Sequence, residues 1–461
     1  MALSRSRGSF RDPSGHVFDG DDHVLRSVRP SASGLFDQVH RTGFLNRLVA
    51  EQLLLPYEFV DRGLLAVQEP DAVHVLRHPR VDFISHPYEW SFPGLQAAAL
   101  LHLDIHRRAL DAGVSLSDAS AYNVQFVGSR PVFIDHLSFR PYREGEFWTG
   151  HRQFCEQFLN PLLLTALTGV PFQGWYRGSM EGIPSGELAA LLPRKTLFSR
   201  RLLLHVHLMG RLRGERSRDT AVKVATAGFP LASFRKTLAD LHSWIAQLKP
   251  KGSRFTEWSD YATKTSYSDA EGQAKRAFVG EFVAAAKPRI VWDFGCNTGD
   301  YSVVALEAGA DLVIGFEFDQ GALDLAYRRS AEGGLAFLPL HQDAANPSVD
   351  QGWDQGERAG LAGRRGADAV LALALVHHLA ISRNVPLAAV VDWIVAQAPR
   401  GVIEFVPKPD PMVQRLLALR EDVFEDYDEA QFLAALGRHA RVIRTVRVTE
   451  SGRLLAWFDR G

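Results

Sequence analysis

IVWDFGCNTGDYSVVALEAGADLVIGFEFD, residues 290–319, is the stretch that decides the fold of the C-terminal half. Residues 290–294 make an apolar run too short for a helix and rich in branched and aromatic side chains, the pattern of a buried strand. Gly295 and Gly299 bracket Cys296, Asn297 and Thr298, and helical spacing resumes over 301–308. The unit is therefore strand, tight turn, helix, with glycine letting the backbone turn sharply and approach a ligand. A second apolar run, 312–316, stops at Glu317. A carboxylate about 20 residues beyond such a loop, at the end of the second strand, is where this kind of fold holds the two hydroxyls of a ribose. Asp319 is the alternative ribose ligand, in which case Glu317 caps the next helix.

A dinucleotide needs a pyrophosphate cradle of the form G-x-G-x-x-G, and Asn297 stands where its second glycine belongs, which disfavours NAD. The form D-x-G-x-x-x-G, here Asp293, Gly295 and Gly299, resembles the first motif of class I S-adenosylmethionine-dependent methyltransferases. The competing reading is a structural glycine turn in another α/β domain.

Downstream the pattern alternates: helix 322–329, strand 336–340, Gln342-Asp343, a polar glycine-rich insertion over 348–366, and strand 369–375 followed by His377-His378. Helix 387–397, strand 402–406 and a terminal hairpin of 441–448 and 454–458 complete it. Such alternation predicts a parallel sheet covered on both faces. Asn297–Asp300, Glu317–Asp319, Asp343 and His377-His378 all fall at carboxyl ends of strands, the edge where open α/β sheets bind ligands. The resemblance implies a Rossmann-like seven-stranded methyltransferase sheet and S-adenosyl-L-methionine as cofactor. It assigns cofactor binding to Asp293, Gly295, Asn297, Gly299, Glu317 and Asp343, the last accepting from the adenine amino group.

A hydroxyl acceptor needs its proton taken, and histidine titrates near neutrality, so His377 and His378 are the candidate catalytic bases, with Glu404 on the next strand as a second candidate. In the competing reading one histidine fixes a backbone group and the other packs. Ahead of the first strand, Trp258, Tyr261 and Tyr267 precede a helix over 271–286, where methyltransferases of this class build a lid; ordinary packing is the other account.

The N-terminal half reads differently. Turn clusters at 12–15 and 19–22 separate short extended runs, an expected hairpin, and apolar residues over 34–55 form a helical stripe with Glu51 beside it. A second helix is expected over 97–109. Asp118 and Asn123 then precede a strand (124–127), a turn and a second strand ending at Asp135. The arrangement D-x-x-x-x-N followed by a hairpin and a strand-end aspartate resembles the catalytic loop and metal-binding aspartate of protein-kinase-like folds. Departures are plain: there is no glycine-rich loop, and no lysine precedes Lys195, leaving Arg26 as the stand-in for the phosphate-binding lysine. Asp118, Asn123 and Asp135 capping turns around a hairpin is the competing reading.

Arginines and one lysine concentrate over 194–218, a candidate anionic-surface contact or a solvated helical face. Lys-Pro-Lys-Gly-Ser, 249–253, is the best linker, giving an α+β kinase-like domain over 1–250 and a methyltransferase domain over 251–461. With 461 residues, 46% hydrophobic and 23% charged, a net charge of −1 and two cysteines, the composition is that of a globular protein with no global field for nucleic acid. A reduced cytoplasm is the expected setting. No apolar run approaches the roughly 20 residues of a membrane span, and no metal-ligand pattern is read.

Over nearly its full length the chain also resembles a bacterial family of NoeA-type nodulation proteins, through residues 86–92 (HPYEWSF), 118–123 (DASAYN), 133–135 (FID), 152–155 (RQFC) and 404–408 (EFVPK). That resemblance implies methylation linked to cell-surface glycan or signal-molecule synthesis, on a small-molecule or glycan acceptor. The alternatives are a bifunctional enzyme that also phosphorylates and a non-catalytic scaffold that binds S-adenosylmethionine.

Overall fold

The computed structural model describes residues 3–211, 228–252, 268–364, 366–418 and 420–461. Trp258, Tyr261 and Tyr267 of the expected lid, and Arg213, Arg216 and Arg218 of the basic stretch, lie outside the described residues. Contacts divide the chain into two units, Met1–Val127, Pro131–Gly252 and Asp350–Ala359 in the first, and Gly128–Arg130, Ser253–Val349 and Gly360–Gly461 in the second. Two short exchanges thus separate this division from one cut near residue 250. Part of the expected polar insertion, 350–359, groups with the first unit.

In the first unit, β1 (Ser4–Arg5), β2 (Val17–Asp19), β3 (His23–Val28), β4 (Glu58–Val60) and β5 (His74–Pro79) form an antiparallel sheet in the order β1-β2-β3-β5-β4. The stripe expected as one helix over 34–55 is two, α1 (Pro30–Arg41) and α2 (Phe44–Ala50). Gly43, at φ +68°, breaks them in a left-handed conformation that costs other residues energy. α3 (Phe92–Asp111) starts where Ser91 caps the Gly94 amide and Pro93 occupies the first turn, and it buries Leu95, Ala99, Leu103 and Ile105. β6 (Val114–Leu116) pairs with β9 (Phe139–Pro141), and between them β7 (Val124–Val127) pairs with β8 (Arg130–Phe133).

The second unit is built on seven strands: β10 (Ile290–Phe294), β11 (Leu312–Glu317), β12 (Phe337–His341), β13 (Ala369–Ala372), β14 (Arg400–Phe405), β15 (Arg441–Arg447) and β16 (Leu454–Asp459). Their order is β12-β11-β10-β13-β14-β16-β15. The first five run parallel, and β16 enters antiparallel to both neighbours. Every residue of β10 and β13 is buried, as strands covered on both faces require, which is why they read as continuous apolar runs. Phe278, Phe282, Val291, Val313, Phe337, Leu371 and Val402 belong to one core cluster. From β10 the chain builds outward through β11 to β12, then crosses back to β13 on the other side. That reversal opens a crevice at the carboxyl ends of β10 and β13, the place where such sheets take ligands.

Candidate active site

The turn after β10 is built from left-handed residues: Gly295 at φ +74°, Asn297 at φ +49° and Gly299 at φ +84°. Asparagine tolerates that region better than other side chains do. Gly299 is doubly constrained, since a Cβ there would stand 2.5 Å from the Phe337 ring. The turn faces a cavity of about 570 Å³ whose lining includes Gly295, Asn297, Glu317, Asp343, His377 and His378.

Glu317 ends β11 half-buried, with one carboxylate oxygen accepting from the Asn297 amide at 2.8 Å and the other from the amides of Phe318 and Asp319, each at 2.8 Å. Burial pushes its carboxyl up to about 7, against the pull of those three amides. Asp319 instead caps the following helix, its side chain accepting from the Ala322 amide at 2.9 Å. Both residues line the cavity, Glu317 bonded along its loop and Asp319 at the helix start. Phe318, between them, is 55% exposed beside the His341 ring. Asp343 closes an Asx turn on the Ala345 amide and lies 3.4 Å from Arg383.

Asp293 lines the cavity floor but is buried, accepts from Ser302 at 2.6 Å, and has its carboxyl raised to about 6 by burial. It braces the first turn of the helix Asp300–Glu307 against β10.

The rings of His377 and His378 meet at a tilt of 40° with centroids 4.1 Å apart. Burial lowers both, His378 to about 4 and His377 well below the usual imidazole range, so both are neutral at pH 7. Nδ1 of His377 is buried and meets no hydrogen-bond partner among the described residues.

Glu404 stands differently from the sequence expectation. It is fully buried, receives Lys275 Nζ at 2.6 Å and the Ala374 amide at 2.8 Å, and has Arg453 at 3.9 Å. A carboxylate held by two cations does not serve as a proton acceptor. Its bond to Ala374, a non-glycine residue at φ +51°, fixes the strained loop that leads to His377. Lys275 lines the cavity from the helix Asp269–Ala286 and lies over the Tyr301 ring at 4.7 Å. Sequence reading missed it because its position on the helix is ordinary and its partner is 129 residues away. Arg453, in the turn before β16, was missed because its partner lies 43 residues away; it makes a buried two-point contact with Asp410 at 2.7 and 2.9 Å. Lys275→Met, which leaves Glu404 buried with a weaker partner, is expected to cost about 3 kcal/mol. That lowers the melting temperature of the full chain by roughly 6–12 °C. Adding Glu404→Gln should recover most of the loss. A single variant melting within about 2 °C of wild type shows that the pair carries no such weight.

In the first unit, Asn123 donates to Asp118 at 2.9 Å and reaches Asp135 at 3.4 Å, while Arg26 pairs with Asp135 and Asp12, each at 2.9 Å. Burial, then the Asp135 charge, raises the Asp118 carboxyl. Asp118, Asn123, Asp135 and Arg26 thus meet in one cluster. Glu51 does not join it, pairing with Arg108. Of the basic stretch, Arg201 lies 5.6 Å from the centroid of the Trp244 ring.

Seven strands in this order, five parallel and the sixth position antiparallel, with a glycine turn and an acidic strand end at the switch point, define the class I methyltransferase-like fold. The chain belongs to the NoeA family of nodulation proteins: it is 48% identical over 459 residues to nodulation protein NoeA of Rhizobium meliloti (strain 1021), spanning 99% of this chain and 96% of that one. No family model matches the chain. Among solved structures, magnesium protoporphyrin IX methyltransferase (ChlM) from Synechocystis PCC 6803 aligns at 19% identity, covering 41% of this chain and 84% of that one, with a TM-score of 0.31. N-methyltransferase NodS from Bradyrhizobium japonicum WM9 aligns at 10% identity, covering 42% and 98%, with a TM-score of 0.32. No described helix is long and apolar enough to cross a membrane.

Proposed function

We propose that the second unit is an S-adenosylmethionine-dependent methyltransferase acting on a small-molecule or glycan acceptor, in a cytoplasmic step of cell-surface or signal-molecule synthesis. The observation that carries this reading is the half-buried Glu317 carboxylate, aimed along the glycine turn at the switch-point cavity and fixed by three backbone amides. The residues present suit the cofactor. Gly295 lines the cavity, and a Cβ there would have no neighbour nearer than 3.7 Å, so the side-chain space is left for a ligand. Glu317 would hold the ribose hydroxyls, the turn from Gly295 to Gly299 would admit the amino-acid end, Phe318 would cover a face of the adenine, and Asp343 would accept from its amino group.

When bound, S-adenosylmethionine would supply an electrophilic methyl group that an acceptor nucleophile attacks in line, with S-adenosylhomocysteine as the leaving group. The chain's own residues align that acceptor, keep water out and take its proton. His377 accepts the proton, with the tilted His378 ring against it. Lys275, Glu404 and Arg453 hold the supporting loop rather than react. Incubating the full chain with methyl-labelled S-adenosylmethionine and fractionated bacterial extract should label one fraction. Cofactor binding with no fraction labelled would instead favour the scaffold reading.

The first unit, on this reading, is a degenerate kinase-like domain that recognises or positions the acceptor. The Arg26 guanidinium already occupies one Asp135 oxygen, and Asn123 bridges toward the other and toward Asp118, so the oxygens a magnesium ion needs are engaged. Calorimetry should therefore show no magnesium-dependent binding of ATP. A micromolar, metal-dependent affinity abolished by Asp135→Ala would revive the bifunctional alternative.

A further inference from the structure

Away from both clusters, the first unit gathers His151, Cys155 and His205, whose candidate ligand atoms all lie within 4.8 Å of one another. Nε2 of His151 is 2.9 Å from Nδ1 of His205 and 3.6 Å from Sγ of Cys155. We propose that these three side chains form a transition-metal site of the zinc class, which fastens the segment around His205 to the helix that carries His151 and Cys155.

The donor set is the first reason. One thiolate and two imidazoles suit zinc, in a site that leaves a fourth position for solvent or another donor. Zinc bonds of about 2.0–2.1 Å to nitrogen and 2.3 Å to sulfur at tetrahedral angles place nitrogen about 3.6 Å from sulfur and about 3.3 Å from nitrogen. The Cys155–His151 distance of 3.6 Å already fits. The His151–His205 distance is that of a hydrogen bond, and metal entry would part the rings by roughly 0.4 Å. Binding releases the thiol proton, and the imidazole that donates in the His151–His205 bond moves its proton to its other ring nitrogen. Cys155 and His205 are buried, and His151 is half-buried, which makes its side the route by which an ion would enter.

Backbone shape is a second, independent reason. Cys155 opens a π-helical turn, Cys155–Leu159, and His205 lies inside another, Leu203–Leu208. Such turns are rare and occur mostly at functional sites, because the added residue re-aims side chains at the expense of regular helical bonding. A further π-helical turn among the described residues, His378–Ser382, borders the proposed methyl-transfer cavity. The same device therefore appears where the chain builds its other candidate site.

The test uses the whole 461-residue chain, stripped with a chelator and titrated with cobalt(II) chloride under reducing conditions. About one equivalent should bind with a near-ultraviolet thiolate-to-cobalt band, and zinc should displace it. Cys155 and Cys296 are the chain's two cysteines, so the band should vanish in Cys155→Ser and persist in Cys296→Ser. Should Cys155→Ser fail to fold, mass spectrometry of the wild-type protein serves instead, with zinc expected to slow alkylation of Cys155 roughly tenfold or more. A missing band, a band that survives Cys155→Ser, or alkylation of Cys155 unaffected by zinc would each overturn the site.

Discussion

Replacing Glu317 by alanine is expected to weaken S-adenosylhomocysteine binding by one to several powers of ten while leaving the fold intact. Two charge-assisted hydrogen bonds to the ribose, each worth about 1.5–3 kcal/mol, would be lost, and each 1.4 kcal/mol is about tenfold in affinity. Glu317 is half-buried, and the loop it spans is also held by the bonds of the Gly295 and Cys296 amides to the Phe316 carbonyl. Loss of the carboxylate therefore costs the ligand more than the loop. Asp319→Ala serves as the control: Asp319 caps a helix, so its removal should lower stability by about 1 kcal/mol and affinity little. A Glu317→Ala variant that binds as wild type does would sink the cofactor assignment. The pH dependence has a definite sign. With its carboxyl raised to about 7, Glu317 is largely protonated at pH 6 and ionised at pH 8. Ribose hydroxyls bind the ionised form, so binding releases a proton below pH 7 and affinity should rise from pH 6 to pH 8. Glu317→Gln should flatten that rise. The same shift makes ionisation of Glu317 in the folded chain unfavourable between the ordinary carboxylate range and about 7, so its contribution to stability declines as pH climbs through that window.

Substituting His377 by alanine should lower the rate of methyl transfer about 10²–10⁴-fold, the usual worth of a positioned general base, with S-adenosylhomocysteine affinity changed little. Its Nδ1 is a buried acceptor without a partner among the described residues, and its ring is neutral across the physiological range because burial disfavours the cation. The rate should accordingly show no histidine-like fall between pH 6 and pH 8 beyond what Glu317 imposes on cofactor binding. His378→Ala separates the roles, since a neighbour that only supports the ring should cost less than the base itself. Equal losses in both variants with unchanged cofactor binding would make the pair, rather than His377, the reacting unit. A rate unchanged in His377→Ala would remove it from the chemistry.

Short-range pattern in the chain encodes the sheet and its ligand edge. Buried parallel strands must be continuous apolar runs, so β10, β11, β13 and β14 were legible, and with them the strand ends that carry Glu317, Asp343 and His377-His378. The left-handed turn was legible through Gly295 and Gly299, because only residues tolerant of positive φ fit there. Asp118, Asn123 and Asp135 could likewise be read as one cluster from their spacing around a hairpin. Tertiary structure alone decided which charges meet. Glu404 read as a possible base because a carboxylate at a strand end looks the same whether it faces a cavity or a cation; its burial against Lys275 and Arg453 makes it a support instead. Arg26 binding Asp135, the break of the 34–55 stripe at Gly43, the grouping of residues 350–359 with the first unit, and the meeting of His205 with His151 and Cys155 depend on partners distant in the chain. Periodicity reports which face of an element is buried, but a single ionisable residue leaves no period, and its role is set by what the folded chain packs against it.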